Sequence, residues 1–226
     1  MQIDEIFEAD KRIKKKKRTT PLLNSPFLDE IADRQIFIKA ECLQHTGSFK
    51  FRGAYSAISS IPIEKRKKGV IAYSSGNHAQ GVAYAAKIHK IPATIIMPED
   101  APEIKINNTK DLGAEVILYD RLSENREKIG QKISEERLLS LIPPYDHNDV
   151  IAGQGTIGLE IASQAEQIGI GKADVLVCCG GGGLTSGIAV ALSSLMPDFV
   201  TRPVEPEGFD DVVRSLETGE RQTNKK

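Results

Sequence analysis

Val175-Leu176-Val177-Cys178-Cys179-Gly180-Gly181-Gly182-Gly183-Leu184-Thr185-Ser186-Gly187 is the stretch that decides the fold. Apolar residues run into four glycines, and an uncharged stretch continues to Met196. An apolar run of about 20 residues is long enough to cross a bilayer. The glycines argue against a span, because each costs about 1 kcal/mol relative to Ala inside a helix and four together break it. The stretch is read as a buried strand over 175–179, a glycine turn and a helix over 184–196. Consecutive glycines let backbone N–H groups converge on an anion, and the helix N-terminus adds about half a positive charge. That combination suits a phosphate. A tight turn alone needs one glycine, not four. The contiguous glycines do not match G-x-G-x-x-G, and G-x-x-x-x-G-K-[ST] occurs nowhere, so a P-loop is excluded.

Two further turns repeat the logic. Ser74-Ser75-Gly76-Asn77-His78 joins a strand to a helix whose free N–H groups can hold a carboxylate. Ser and Asn are also ordinary cap residues, so that turn alone leaves both readings open. Thr46-Gly47-Ser48-Phe49-Lys50 opens another helix with a lysine in its first turn, which the helix dipole disfavours. Such a lysine either points to solvent or is used, and partial desolvation near positive dipole ends lowers its pKa as Schiff-base chemistry requires.

Around these turns, strands are expected over 36–39, 70–73, 93–97, 115–119, 139–142, 175–179 and 200–204. Helices are expected over 48–60, 77–90, 101–112, 123–137, 154–168 and 184–196. Short strands alternating with longer helices imply an α/β fold of βαβ units with parallel sheets and right-handed crossovers. An N-terminal helix over 3–13 carries Ile3, Ile6, Phe7 and Ile13 on one face, and the basic run from Lys11 to Arg18 is read as a solvated helix end and linker. Pro143-Pro144 and the polar residues 145–149 read as a domain crossing. The expected organisation is a large domain beginning over 1–68, a small domain over 69–145 with one four-stranded sheet, and the large domain continued over 146–226. The flanking strands would form a second sheet.

Composition removes other classes. Lys+Arg 30 against Asp+Glu 31 gives a net charge of −1, unlike a dedicated nucleic-acid binder. Trp is absent and aromatic residues make up 5%, which disfavours base-stacking platforms. Three cysteines do not make a disulfide framework, and a reducing, cytoplasmic setting is expected. The N-terminus lacks the apolar region of a secretory signal. His45, His78, His89 and His147 have no metal-ligand spacing with the cysteines. Cys178 and Cys179 are expected in the core. No membrane or nucleic-acid partner is expected.

Glu41-Cys42-Leu43-Gln44-His45-Thr46-Gly47-Ser48-Phe49-Lys50-Phe51-Arg52-Gly53-Ala54 resembles the lysine segment of the threonine dehydratases and serine racemases, which are fold-type II pyridoxal-phosphate enzymes. Ser74-Ser75-Gly76-Asn77-His78-Ala79-Gln80-Gly81 is similar to their substrate-carboxylate loop, and Gly180 to Gly183 to their phosphate loop. Residues 97–102 and 150–156 also match, so the resemblance runs from about Thr20 to about Arg221.

The resemblance implies a two-domain fold-type II architecture, tryptophan synthase β-like, with pyridoxal 5'-phosphate as cofactor. It implies that Lys50 is the Schiff-base lysine and later removes the substrate Cα proton, and that Phe49 packs on the pyridine ring. Asn77 would bond the ring oxygen, and Gly180, Gly181, Gly182, Gly183 and the Leu184 N–H would bind the phosphate. Ser74, Ser75, Gly76, Asn77 and His78 would take the substrate carboxylate, with Ser75 the opposite-face acid in a racemase. Glu205, the Phe209 carbonyl and Asp211 would hold Mg²⁺ or Ca²⁺, hard ions that suit oxygen ligands, while a solvated acidic loop is the other reading.

The implied activity is L-threonine/L-serine dehydration to a 2-oxo acid and ammonia. The alternatives are serine racemase, 3-hydroxyaspartate dehydratase or a non-catalytic cofactor-binding remnant. The partners implied are a small amino-acid substrate and, for a full-length chain, further copies in a homo-oligomer. Members of that family continue past the point where this chain stops, so a truncated large domain is expected, with apolar sheet surface uncovered at 175–179 and 200–204 and the pyridine-nitrogen partner missing.

Overall fold

A computed structural model describes residues 1–224. In chain order the elements are α1 Ile3–Ile13, β1 Leu22–Asn24, α2 Pro26–Ala32, β2 Phe37–Lys39, α3 Lys50–Ser60, α4 Ile63–Arg66, β3 Val70–Tyr73, α5 Asn77–His89, β4 Ala93–Pro98 and α6 Glu103–Asp111. They continue with β5 Glu115–Tyr119, α7 Arg126–Arg137, β6 Ser140–Leu141, α8 Asn148–Gln167, β7 Ala173–Cys178, α9 Gly183–Leu195, β8 Phe199–Val204 and α10 Asp211–Thr218. Two 3₁₀ turns, Glu41–Leu43 and His45–Gly47, precede α3.

The main sheet is parallel, in the order β5-β4-β3-β6. Its central strand β4 is buried along its whole length, which is why Ala-Thr-Ile-Ile-Met-Pro reads as a continuous run rather than an alternation. Ala79, Val82, Ala83 and Ala86 of α5 pack with Val70, Ala72 and Ile95 in one core, while Ile71, Ile96 and Tyr119 form a smaller cluster against α7. The flanking strands do not form one second sheet, contrary to expectation. β2 pairs antiparallel with β1, and β7 pairs parallel with β8. The short β1, α2 and α10 carry no long periodic pattern and were not anticipated. One face of the β7–β8 pair is open, with Leu176 70% exposed and Val200 and Val204 also exposed.

Helix α8 begins at Asn148, six residues before its expected start, and crosses both α3 and α9. Glycine permits these crossings. A Cβ on Gly153 would lie 2.6 Å from the Arg52 carbonyl oxygen, and one on Gly187 would lie 2.5 Å from that of Ile151. The helix carrying Lys50 and the helix behind the glycine turn are thus both held at backbone contact with α8.

The N-terminal helix packs Ile6, Ala9 and Ile13 inward, but Phe7 is 39% exposed, so its expected inward placement was incorrect. Residues at i, i+3 and i+7 make the buried stripe, and Phe7 falls on its margin. The basic run is not all solvated either. Lys17 bridges Asp10 and Glu160 in a nearly buried position, because α8 brings a carboxylate beneath the linker.

Candidate active site

Helix α3 starts at Lys50, later than the expected Ser48. Thr46 and Gly47 have left-handed φ values of 59° and 70°, and Ser48 is extended. The chain therefore turns sharply and delivers Lys50 at the first helical position. Its Nζ donates to the Pro144 carbonyl at 2.7 Å and lies 5.2 Å from the centre of the Phe49 ring. Burial pushes the Lys50 pKa below its ordinary value, and the Cys178 thiol acts in the opposite direction. Cys178 is exposed towards this space while Cys179 is buried, so the expectation that both lie in the core holds only for Cys179. Alternation along β7 places the two thiols on opposite faces.

Lys50 opens into a cavity of about 590 Å³ shared with Phe49, Cys178, the glycines 180–183 and Leu184. Gly182 has φ +78° and caps α9, whose first turn offers free N–H groups. A Cβ on Gly181 would lie 2.3 to 2.6 Å from ring atoms of Tyr145, so only glycine fits beneath that ring. Two residues that line the cavity, Gln154 and Thr185, each carry a buried polar atom, Nε2 and Oγ1, with no protein partner. Reading the sequence missed Tyr145, Gln154 and Thr185. The available signal was a lone amide between glycines in an otherwise apolar helix, Gly153-Gln154-Gly155.

The 74–78 loop lies beside this cavity. Gly81 lets α5 approach the start of α3, since a Cβ there would lie 3.1 Å from the Lys50 carbonyl carbon. Ser74 Oγ accepts the Gly76 N–H at 3.2 Å, and Asn77 is the first residue of α5. His78 is buried, with Nε2 2.9 Å from the Ile142 carbonyl and Nδ1 unpartnered. A carbonyl only accepts, so Nε2 carries the proton. Burial pushes the His78 pKa down to about 4, and nearby Lys50 adds to this, so the ring is neutral.

Ser74 and Ser75 line a second hollow of about 470 Å³ together with Tyr119, Arg121, Asn125 and Arg126. This hollow sits at the carboxyl ends of β3, β4 and β5, where open α/β sheets bind ligands. Arg121 is paired with Asp100. Glu124 and Glu127 also line the hollow, and the Glu124 carboxylate accepts the Asp120 N–H. Among the described residues no carboxylate lies within 4.0 Å of Arg126, whose guanidinium stacks 5.5 Å from the centre of the Tyr73 ring.

The residues expected at a metal have other partners. The Glu205 carboxylate accepts the Val212 and Val213 N–H groups at 3.0 and 2.9 Å and so caps α10. Asp211 Oδ1 accepts from Asn224, and Phe209 is exposed. Among the described residues no group of three His, Cys, Asp or Glu side chains is placed to hold a metal. None of the helices described is long and apolar enough to cross a membrane.

Pyridoxal phosphate fits the Lys50 cavity by the chemistry of its lining. There is a primary amine of lowered pKa, an anion-binding turn opposite it, an aromatic ring beside the amine and two buried polar atoms awaiting a partner. Comparison with known proteins agrees. The chain is 47% identical over 216 residues to an L-threo-3-hydroxyaspartate ammonia-lyase of Pseudomonas sp, covering 95% of this chain and 66% of that one. It is 46% identical over 217 residues to a serine racemase of Schizosaccharomyces pombe, covering 96% of this chain and 66% of that one. The solved threonine deaminase of T.th. superposes with a TM-score of 0.92 at 44% identity, covering 98% of this chain and 70% of that one. The chain thus spans just under two thirds of the length of these curated relatives. A family model described as "Pyridoxal-phosphate dependent enzyme" matches residues 13–226, and the chain belongs to that family.

Proposed function

We propose that the chain carries the lysine and phosphate machinery of a pyridoxal-phosphate dependent ammonia-lyase acting on a β-hydroxy amino acid. The observation that carries this reading is the half-buried Lys50 amine, held by a single carbonyl oxygen in the cavity opposite the glycine turn. When bound, the cofactor supplies an electron sink for the substrate's Cα. Lys50 Nζ would stand at the reacting centre, and burial, which lowers its pKa, favours the neutral amine that can take the Cα proton. The Pro144 carbonyl holds that nitrogen in place. Ser74, Ser75, Asn77 and the free N–H groups of α5 orient the substrate carboxylate. The proton taken from Cα would pass to the β-hydroxyl, which leaves as water, and addition of one water would then release ammonia and a 2-oxo acid.

L-Threonine and L-serine were the substrates first expected. Arg126 favours a dicarboxylic substrate instead, because it is a cation without a carboxylate partner in the hollow that Ser74 and Ser75 share. A β-carboxylate would satisfy it. The relatives named as 3-hydroxyaspartate ammonia-lyases support the same choice. The test is ammonia release from L-threo-3-hydroxyaspartate, L-threonine and L-serine, with D-serine formation followed in parallel. The expected result is preference for 3-hydroxyaspartate, lost by about tenfold or more in Arg126→Ala while serine turnover stays unchanged. Equal loss on all substrates would refute the role of Arg126. D-Serine formation abolished by Ser75→Ala would establish the racemase reading, and cofactor binding without turnover would establish the remnant.

A further inference from the structure

Gln154 sits on α8 with 1% of its surface exposed. Its Oε1 accepts the Gly53 N–H at 3.3 Å, which fixes the orientation of the amide and leaves Nε2 with no partner. Thr185 stands in the first turn of α9, and its buried Oγ1 is likewise unpartnered. Both residues line the Lys50 cavity. Helices α8 and α9 are held at backbone contact by Gly187, where a Cβ would lie 2.5 Å from the Ile151 carbonyl oxygen and 2.7 Å from the Gly155 nitrogen. Gln154 Nε2 lies in the seam between α8 and α3, where a Cβ on Gly53 would come within 2.4 Å of it, so the two buried donors belong to residues on two different walls of the cavity. A buried donor without an acceptor is unfavourable, and one left unmet at a cavity wall marks the place of a ligand acceptor. The turn's own N–H groups and the α9 dipole select a negative acceptor.

We propose that Gln154 Nε2 and Thr185 Oγ1 are side-chain ligands of the phosphate held at the 180–183 turn. This rests on the reading of the cavity as a pyridoxal-phosphate site. It adds a consequence specific to these residues. Gln154 donates to the phosphate through Nε2 and accepts from Gly53 through Oε1, and Gly53 lies one turn beyond Lys50. Phosphate occupancy and the placement of the lysine helix are thereby joined through one side chain.

The experiment titrates pyridoxal phosphate, pyridoxal (which lacks the phosphate) and inorganic phosphate against the whole chain and its Thr185→Val, Thr185→Ser and Gln154→Met variants. Binding is read from cofactor absorbance and ³¹P resonance shifts, and cofactor-free melting temperature is recorded for each variant. Thr185→Val and Gln154→Met are expected to weaken pyridoxal phosphate about tenfold each, the usual scale for one hydrogen bond to a charged group. Pyridoxal affinity is expected to stay within twofold, and Thr185→Ser to restore phosphate binding. The cofactor-free melting temperature of Thr185→Val is expected to be unchanged or raised, because that variant removes an unmet donor. Unchanged pyridoxal phosphate affinity, or equal weakening of pyridoxal, would overturn the proposal. Failure of the unaltered chain to bind pyridoxal phosphate would instead defeat the cofactor reading beneath it.

Discussion

Lys50 and Arg52 stand two residues apart on α3 in opposite surroundings. Arg52 is fully buried and surrounded by acceptors: Nε and Nη2 meet the two Glu41 oxygens at 2.8 and 2.7 Å, and Nη1 meets Glu160 Oε1 at 2.7 Å. Lys17 and Lys39 close on the same Glu160 carboxylate at 2.7 and 2.6 Å. Burial opposes the charge on Glu160, yet Arg52 and the two lysines hold its pKa down at about 2. Lys50, by contrast, has one carbonyl partner and faces a cavity lined by Gln154 and Thr185, whose Nε2 and Oγ1 are unmet. A saturated charge cluster fixes structure, and an unsaturated one waits for a ligand. One helix does both, and the cluster anchors the end that presents the lysine.

The largest expected effect breaks the saturated side. Arg52→Met leaves Glu41, and Glu160 in part, without their main cation, and should cost about 3–5 kcal/mol in urea denaturation. A loss below about 1 kcal/mol would mean the cluster does not anchor α3.

Acid should act next, through His78 and His89, both held near 4, and at lower pH through Glu160. His78 titrates near 4 rather than 6.5, so the unfolded chain binds the extra proton first. Its contribution is present above pH 6.5 and lost as pH falls towards 4, on the order of 3 kcal/mol. The Glu160 contribution is lost lower, as pH falls from 4.5 towards 2. Denaturation across pH should show the upper step reduced in His78→Gln, flattened only when His89, which is also held near 4, is replaced as well, and the lower step intact in both.

Gly153→Ala sharpens the comparison, because its Cβ would press on the Arg52 carbonyl at 2.6 Å and part α3 from α8. Overpacking of this kind should cost about 1–3 kcal/mol and weaken cofactor binding as well. The smallest effect on stability is expected for Lys50→Met. Removing a cation whose desolvation no ion pair offsets should leave stability within about 1 kcal/mol of the parent, or raise it.

The sequence made the βαβ alternation and the glycine turn legible, because both are local patterns. Four parallel strands and α9 appeared close to their expected positions. What stayed hidden depends on contacts across the chain. Nothing near Arg52 announces Glu160, which reaches it from over a hundred residues away at 2.7 Å. Gln154 looked like one polar residue in an apolar helix, and its orphaned amide shows only once α3 lies across it. Cys178 was assigned to the core because alternation does not say which face is covered. The lysine segment and the 74–78 loop lie far apart in the sequence, and Ser74 and Ser75 line a hollow beside the Lys50 cavity. Their adjacency depends on Gly81 allowing α5 against α3.

The central claim is that the under-partnered cation on α3 is the reactive one. Incubation with pyridoxal phosphate, borohydride reduction and peptide mass spectrometry test it directly. The account predicts one dominant adduct, on Lys50, with Lys17 and Lys39 unlabelled because both are enclosed and ion-paired to Glu160. Labelling spread over the surface lysines, or the same yield of adduct from Lys50→Met, would contradict it.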